Sequence, residues 1–219
     1  MTIDGPSGAG KTTVSRRLAQ KASMTRLDTG AMYRACALAA KRYGIPWSDA
    51  AALEKLCAGL DISFEKSEGA VDARIKLNGE DVSEAIRTPE ISMGASEVSV
   101  HKAVREAMVS LQRKMGEAGG TVLEGRDTGT VVFPNAEVKI FLDASAAVRA
   151  RRRYREWKES EGKAFEDVLR EVLERDVRDS TRENSLLRVP PGAVYIDSST
   201  MTVDQVVDEC LEHLAKFKP

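Results

Sequence analysis

Five short apolar runs divide the chain, and most of the intervening segments repeat their apolar residues at helical spacing. The apolar runs predict strands at residues 1–4, 24–28, 121–124, 137–143 and 193–197. The helical spacing predicts helices over residues 11–22, 31–43, 48–59, 101–118, 165–179 and 203–217, and a basic helix beginning at Ser145. Strands that alternate with helices are typical of a parallel sheet. The sequence therefore predicts an α/β fold built on a five-stranded parallel sheet.

Two segments depart from this alternation. Residues 62–64 and 71–77 alternate apolar with polar side chains around Ser67-Glu68-Gly69, which predicts a small antiparallel sheet inserted at about residues 60–82. Residues 149–162, called the basic arm below, carry more basic than acidic side chains and end in Gly162. The arm is interpreted either as a solvated helix face or as a lid that closes over a phosphate.

Composition excludes several classes of protein. The 219 residues are 42% hydrophobic and 31% charged, as in an ordinary globular protein. The 33 basic and 34 acidic side chains nearly cancel, which argues against general nucleic-acid or membrane-surface binding. Cys36, Cys57 and Cys210 are far apart in sequence and are expected to be reduced core residues. We expect a cytoplasmic monomer with no membrane segment.

Residues 5–12, called the glycine loop below, read Gly-Pro-Ser-Gly-Ala-Gly-Lys-Thr between a strand and an amphipathic helix. Glycines let the backbone amides turn inward, and the helix directs its positive dipole end to the same place, which favours bound phosphate over a merely flexible turn. Lys11 is predicted to reach the β- and γ-phosphates of ATP, and the Thr12 hydroxyl to bind Mg²⁺. The predicted ATP-binding residues are Gly5, Pro6, Ser7, Gly8, Ala9, Gly10, Lys11, Thr12 and Thr13.

Polar clusters follow the second and third predicted strands. Tyr33 and Arg34 lie off the apolar stripe of the helix that follows the second strand, and Arg126 and Asp127 stand between two glycines after the third. Ligands bind at the carboxyl ends of parallel strands, so both clusters are candidate sites. A polar helix face and a plain loop remain the alternatives.

The predicted helix over residues 165–179 has an apolar stripe whose continuation reaches Arg175, Asp179 and Arg182. If the helix continues, these charged groups point inward, where a ligand or an opposite charge must meet them. A frayed helix end with solvated arginines is the alternative. In the basic arm, Arg151 and Arg152 are the candidate ATP ligands if the arm is a lid.

Four motifs together resemble bacterial cytidylate kinases, which are P-loop nucleoside monophosphate kinases. The motifs are the glycine loop, Leu-Asp-Thr-Gly-Ala-Met-Tyr-Arg at residues 27–34, Glu-Gly-Arg-Asp-Thr-Gly-Thr-Val-Val-Phe-Pro at 124–134 and Arg-Asp-Val-Arg-Asp-Ser-Thr-Arg at 175–182. The resemblance spans essentially the whole chain. It implies a P-loop three-layer α/β/α core in residues 1–30, 120–148 and 166–219, a nucleoside-monophosphate region in 31–119, and a helical lid in 149–165.

The resemblance also implies a reaction and a set of site residues. The reaction is direct in-line transfer from ATP, with Mg²⁺, to CMP or dCMP in pyrimidine nucleotide metabolism. Arg34, Arg126 and Arg182 would hold the CMP phosphate; Ser96, Arg105 and Asp127 would read cytosine; and Thr29, Tyr33, Arg175 and Asp179 would surround base and sugar. The catalytic candidates are Lys11, Arg126 and Arg182. A UMP or AMP kinase, a non-catalytic ATP-binding regulator and an RNA-binding protein remain alternatives.

Overall fold

The computed structural model describes residues 1–65, 72–162, 164–181 and 186–217, without the side chains of 156–161. Its strands are β1 Thr2–Asp4, β2 Thr25–Asp28, β3 Ile62–Glu65, β4 Arg74–Leu77, β5 Glu80–Asp81, β6 Thr121–Gly125, β7 Lys139–Asp143 and β8 Val194–Asp197. Its α-helices are α1 Lys11–Lys21, α2 Thr29–Arg42, α3 Ala50–Ala58, α4 Pro89–Val98, α5 Lys102–Gly116, α6 Ala146–Glu161, α7 Phe165–Thr181 and α8 Val203–Ala215.

The predicted fold class is confirmed. Five strands form a parallel sheet in the order β2-β6-β1-β7-β8, and three form a second sheet in the order β3-β4-β5. In the second sheet β3 pairs antiparallel with β4, Ile62 opposite Leu77, which confirms the predicted insert. The predicted turn at Ser67-Glu68-Gly69 lies outside the described residues.

The chain divides into two compact units, of which the first comprises residues Met1–Met24 and Val122–Pro219. Strand β1 pairs with β6 on one side and with β7 on the other, so its three residues are buried. Apolar side chains of α1 and α8, among them Leu18 and Val207, pack with Ile3 and Ile140 of the strands. Burial of such side chains is the main driving force for folding, at about 25 cal/mol per Å². This packing fixes the carboxyl end of β1, where the glycine loop begins.

The second unit comprises residues Thr25–Thr121, and helix α2 forms the centre of its core. The residues of α2 from Ala35 to Ala40 are all buried, so this helix is surrounded by protein rather than half exposed. The expectation that Tyr33 lies off the buried stripe is therefore wrong, because its side chain is only 9% exposed. Helix α4, which the apolar pattern did not predict, packs against α2.

None of the helices in the described parts of the chain is both long enough and apolar enough to span a bilayer.

Candidate nucleotide site

The glycine loop has the backbone that its glycines predict. Gly8 and Gly10 have φ angles of 81° and 96°, in the left-handed region that favours glycine. Space is equally restrictive, since a Cβ on Gly5 would lie 1.9 Å from the carbonyl oxygen of Leu142. Helix α1 begins at Lys11, which is within the last two residues of the loop, so the positive dipole end of the helix lies at the loop. This arrangement has the geometry that suits a bound anion.

The ammonium group of Lys11 is folded back onto the glycine loop. Its Nζ donates to the carbonyl oxygens of Gly5 and Pro6, both at 2.7 Å, and the residue is buried. Burial lowers the pKa of Lys11 well below its usual range, and the positive charge of Arg126 lowers it further, against the opposite effect of Glu124. A bound polyphosphate would add negative charge beside this amine and favour its protonated form.

A buried carboxylate lies beside the first turn of α1. Glu124, at the end of β6, accepts hydrogen bonds from the hydroxyls of Thr12, at 3.0 Å, and Ser15. A hydroxyl and a carboxylate are hard oxygen ligands of the kind that Mg²⁺ prefers, so Thr12 and Glu124 fit that ion. The candidate set missed Glu124, although a glutamate that ends an apolar strand was a usable signal.

Asp4, at the end of β1, holds the turn that follows Asp127. Its carboxylate accepts from the amide of Thr128 at 2.8 Å and from the amide of Gly129 at 2.7 Å. Burial raises the pKa of Asp4, and these hydrogen bonds oppose the rise only in part. Asp127 itself is buried at the start of the one-turn π-helix Thr128–Val132. The predicted base-reading carboxylate thus stands on a turn that Asp4 fixes.

Arginines from the first two turns of α6 contact the glycine loop. Arg152 donates to the carbonyl oxygen of Ala9 at 3.0 Å and to that of Ser198 at 2.8 Å. Arg153 donates to the hydroxyl of Ser7 at 2.9 Å. Arg151, a predicted ATP ligand, is exposed, and its role stays a prediction. The N-terminal part of the basic arm therefore helps to hold the glycine loop in place.

Arg149 lies deepest among these arginines. It donates to the carbonyl oxygen of Ser7 at 3.1 Å and makes a two-point ion pair with Asp176 of α7, at 2.9 and 2.6 Å. Its side chain is 6% exposed and that of Asp176 is 27% exposed. From the sequence, Arg149 belongs to the basic arm and has no predicted role. Its contact with the loop could not be predicted, because tertiary packing decides which arginines of a helix point toward a loop.

Helix α7 continues to Thr181, so the predicted inward stripe of charges is present as far as the described residues extend. Asp179 is buried and accepts from Nε of Arg126 at 2.8 Å. The charge of Arg175 lowers the pKa of Lys11, as does that of Arg126. Arg182 lies outside the described residues. Two of the predicted acceptor-binding residues, Arg126 and Asp179, are thus in direct contact.

In the second unit, Asp28 organises the start of α2. Its carboxylate accepts from the amide of Ala31 at 3.1 Å and from the guanidinium of Arg34 at 2.9 Å, and Arg26 lies 3.6 Å away. Burial raises the pKa of Asp28, but the cations of Arg34 and Arg26 outweigh burial and bring it below its usual range. Thr29, next along the helix, is buried.

A second cluster in this unit joins α2 with α5. The guanidinium of Arg105 lies over the ring of Tyr33, 5.6 Å from its centroid, and donates to the carbonyl oxygen of Ser99 at 3.4 Å. Ser96, on α4, is also buried. An arginine over an aromatic face is stabilised by a cation–π interaction, which fixes its orientation. The structure thus brings Tyr33 and Arg105 into contact.

A parallel sheet whose first strand leads through a glycine loop into a helix defines a P-loop nucleotide-binding protein. In fold the chain is similar to an uncharacterized protein from Eubacterium ventriosum ATCC 27560, with a TM-score of 0.51 and 13% identity over 98% of this chain and 97% of that one.

The sequence comparisons narrow this class. The family model for cytidylate kinase matches residues 1–216. Cytidylate kinase from Syntrophotalea carbinolica is 51% identical over 99% of this chain and 92% of its own length, and that from Geobacter sp. (strain M21) is 48% identical with the same coverage. Cytidylate kinase from Pseudomonas aeruginosa is 44% identical over 97% of this chain and 93% of its own length. The chain belongs to the cytidylate kinase family.

Proposed function

We propose that this protein transfers the γ-phosphoryl group of ATP to CMP and dCMP, giving ADP with CDP or dCDP. The observation that carries the proposal is the family match over residues 1–216. The glycine loop supports the donor half, because its buried lysine and its helix start suit a polyphosphate.

On the donor side, ATP is assigned to residues 5–13, with Lys11 on the β- and γ-phosphates. Arg152 and Arg153 support this assignment because they hold the carbonyl of Ala9 and the hydroxyl of Ser7. Thr12 and Glu124 are the residues that would hold Mg²⁺. When bound, the ion neutralises charge on the β- and γ-phosphate oxygens.

On the acceptor side, Arg34, Arg126 and Arg182 are assigned to the CMP phosphate. Arg34 is held by Asp28 and Arg126 by Asp179, so two of the three guanidinium groups have a fixed carboxylate partner. Arginine presents paired donors that match a phosphate, and fixed partners reduce the entropy lost on binding. The assignment of Thr29, Tyr33, Arg175 and Asp179 to base and sugar completes the substrate set.

Asp127 is assigned to the exocyclic amino group of cytosine, with Ser96 and Arg105 on the rest of the base edge. A carboxylate accepts a hydrogen bond from that amino group and repels the carbonyl oxygen that replaces it in uracil. The buried position of Asp127 on a turn held by Asp4 supports this role, because base discrimination requires a fixed acceptor.

The chemistry is direct transfer. The acceptor is already a phosphate anion, so it needs no strong base, and catalysis consists of alignment and charge neutralisation. Lys11 stabilises the negative charge of the transferring group, while the acceptor arginines hold the attacking oxygen in line. Burial lowers the pKa of Lys11, and the negative charge of a bound phosphate would oppose that shift.

The first experiment is an ADP-release assay across CMP, dCMP, UMP, AMP, GMP and dTMP. CMP and dCMP are expected to be the best acceptors, and a higher kcat/KM with UMP or AMP would overturn the assignment. Lys11→Ala is expected to lower turnover roughly a hundredfold or more with the fold retained. The matched control is Lys21→Ala at the exposed end of α1, which should leave turnover unchanged.

Asp127→Ala tests the base-reading role. Its expected effect is a lower ratio of CMP to UMP kcat/KM, while the KM for ATP stays near that of the parent. An unchanged CMP to UMP ratio would remove Asp127 from base recognition.

Association and localisation complete the proposal. We propose that the protein is cytoplasmic and monomeric, and sedimentation at assay concentration tests the monomeric state. The family match does not favour RNA binding through the basic arm, which would require an affinity that falls steeply with salt.

A further inference from the structure

Two of the three cysteines, distant in sequence, meet in the core of the second unit. The thiol sulfur of Cys36 on α2 lies 3.6 Å from that of Cys57 on α3, and both residues are free thiols. Cys210, the third free thiol, is buried in the core of the first unit. The sequence predicts three separate core cysteines. The contact between Cys36 and Cys57 means that these two thiols can react with each other.

The geometry suits bond formation between the two sulfurs. A disulfide has its sulfurs about 2.05 Å apart, so they would have to approach by about 1.5 Å. Cys57 lies in the last turn of α3, next to its terminal Ala58, where a small shift disturbs few helical hydrogen bonds. Cys36 lies in the middle of α2 and is fully buried.

The two thiols differ in access and acidity. Cys57 is 9% exposed and Cys36 is 0% exposed, so a small oxidant reaches Cys57 first. The hydrogen bond between them lowers the pKa of Cys57, whereas that bond and burial raise the pKa of Cys36. A reactive cysteine needs thiolate character and access, and a neighbouring thiol can then resolve its oxidised form.

We propose that Cys36 and Cys57 form a redox-active dithiol that a small hydroperoxide converts into an intramolecular disulfide. The Cys57 thiol attacks one peroxide oxygen, the O–O bond breaks, and Cys57 becomes a sulfenic acid as water leaves when the oxidant is hydrogen peroxide. The Cys36 thiol then attacks the Cys57 sulfur, the S–O bond breaks, and a second water leaves. Two thiol sulfurs are oxidised by one electron each, and the peroxide is reduced by two.

The bond would join α2 to α3 within the second unit. Cys36 stands three residues beyond Tyr33 on α2, the helix that also carries Arg34. Formation of this bond does not depend on the proposed reaction, so it can be measured chemically, without an activity assay.

The test uses the full-length, fully reduced protein and a few molar equivalents of hydrogen peroxide. After quenching and alkylation under denaturing conditions, the free-thiol count is expected to fall from three to one. Peptide mass spectrometry should then find the Cys36 and Cys57 peptides joined, with a mass two hydrogens lower, and dithiothreitol should restore three thiols.

Variants and a denatured control separate this site from non-specific oxidation. Cys210→Ser should still form the linked peptide at the parent rate, whereas Cys36→Ser should leave Cys57 as a sulfenic acid that dimedone traps. The proposal is overturned if wild-type protein keeps three free thiols, if Cys57 passes to sulfinic acid without linkage, or if linkage appears only in urea. Because these outcomes are read on wild-type protein, a misfolded variant does not obscure them.

Discussion

The ion pair between Arg149 and Asp176 gives the sharpest prediction for stability. Arg149 is almost fully buried, and Asp176→Asn removes the one carboxylate that is hydrogen-bonded to it among the described residues while preserving side-chain shape. Breaking a buried pair by removing one partner costs about 3–5 kcal/mol, because the remaining charge is uncompensated. Asp176 is 27% exposed, so water relieves part of this cost, and we expect the lower value of about 3 kcal/mol. At about 2–4 °C per kcal/mol for a chain of this size, Tm should fall by roughly 6–12 °C.

The assay is urea unfolding followed by circular dichroism, with the free energy of unfolding compared between parent and variant. The matched control is Asp208→Asn, which removes the partner of Lys21 at 3.0 Å on an exposed surface. An exposed pair contributes about 0–1 kcal/mol, so this control should lie close to the parent.

A second variant separates charge from packing. Replacing both partners, as Arg149→Met with Asp176→Leu, removes the buried charge together with its countercharge, and it should recover much of the stability that Asp176→Asn loses. If Asp176→Asn loses no more stability than Asp208→Asn, the buried pair contributes no more than an exposed one.

Three further predictions follow from local geometry. Gly94→Ala places a Cβ 2.4 Å from the Trp47 ring, so we expect a loss of about 1–3 kcal/mol in urea unfolding. Gly8→Ala adds a Cβ 3.0 Å from the Arg149 side chain at a φ of 81°, and it should raise the KM for ATP about tenfold or more at unchanged helix content. The Tyr195 hydroxyl donates to Asp143, which raises its pKa from 10.0 to about 12. Its stabilising effect is therefore complete below pH 10 and lost as pH rises to about 12, so the difference in urea midpoint between the parent and Tyr195→Phe should shrink across that range.

Each of these predictions has its own contrary result. Gly59→Ala is the control for Gly94→Ala, because its Cβ would lie 3.8 Å from the nearest atom, the carbonyl oxygen of Leu56. Equal losses of unfolding free energy in the two variants would contradict the steric explanation. An unchanged KM for ATP in Gly8→Ala would separate the loop backbone from donor binding. A difference in midpoint between parent and Tyr195→Phe that stays constant from pH 9 to 12 would show that the hydrogen bond to Asp143 does not govern the titration.

The strands and most helices could be predicted because their apolar periodicity is local. Helix α4 could not be predicted in this way, because between Ile91 and Val98 its buried residues are the small Gly94, Ala95 and Ser96, which interrupt any stripe of large apolar side chains. Its signals were at its start, where Thr88 caps the helix and Pro89 occupies its first position. Ser96 was carried over from the resemblance alone, and its helix became visible only in the structure.

The types of residue at the candidate site could be predicted from the sequence. The contacts that these residues make with one another could be predicted less well. The glycine loop has a local sequence signature. Which arginines of the basic arm contact the loop depends instead on how α6 is rotated about its axis. In the structure this rotation brings Arg149 against Asp176 of α7, a contact between residues distant in sequence. The burial of Tyr33 was missed for the same reason, since a helix surrounded by protein hides residues outside its most apolar stripe.

The support of the glycine loop by α6 has a consequence for the order of folding. Ser7 and Arg149 are 142 residues apart in sequence, so the contact between them closes a very long stretch of chain. Contacts of such separation form slowly, because the entropy of closing the chain is lost before they contribute. A nascent or refolding chain can therefore form helix α1 early, whereas strand β1 and the contacts that hold the glycine loop must wait for β6, β7 and α6. We therefore expect chains that end before α6 to lack the supported loop geometry that the proposed ATP site needs.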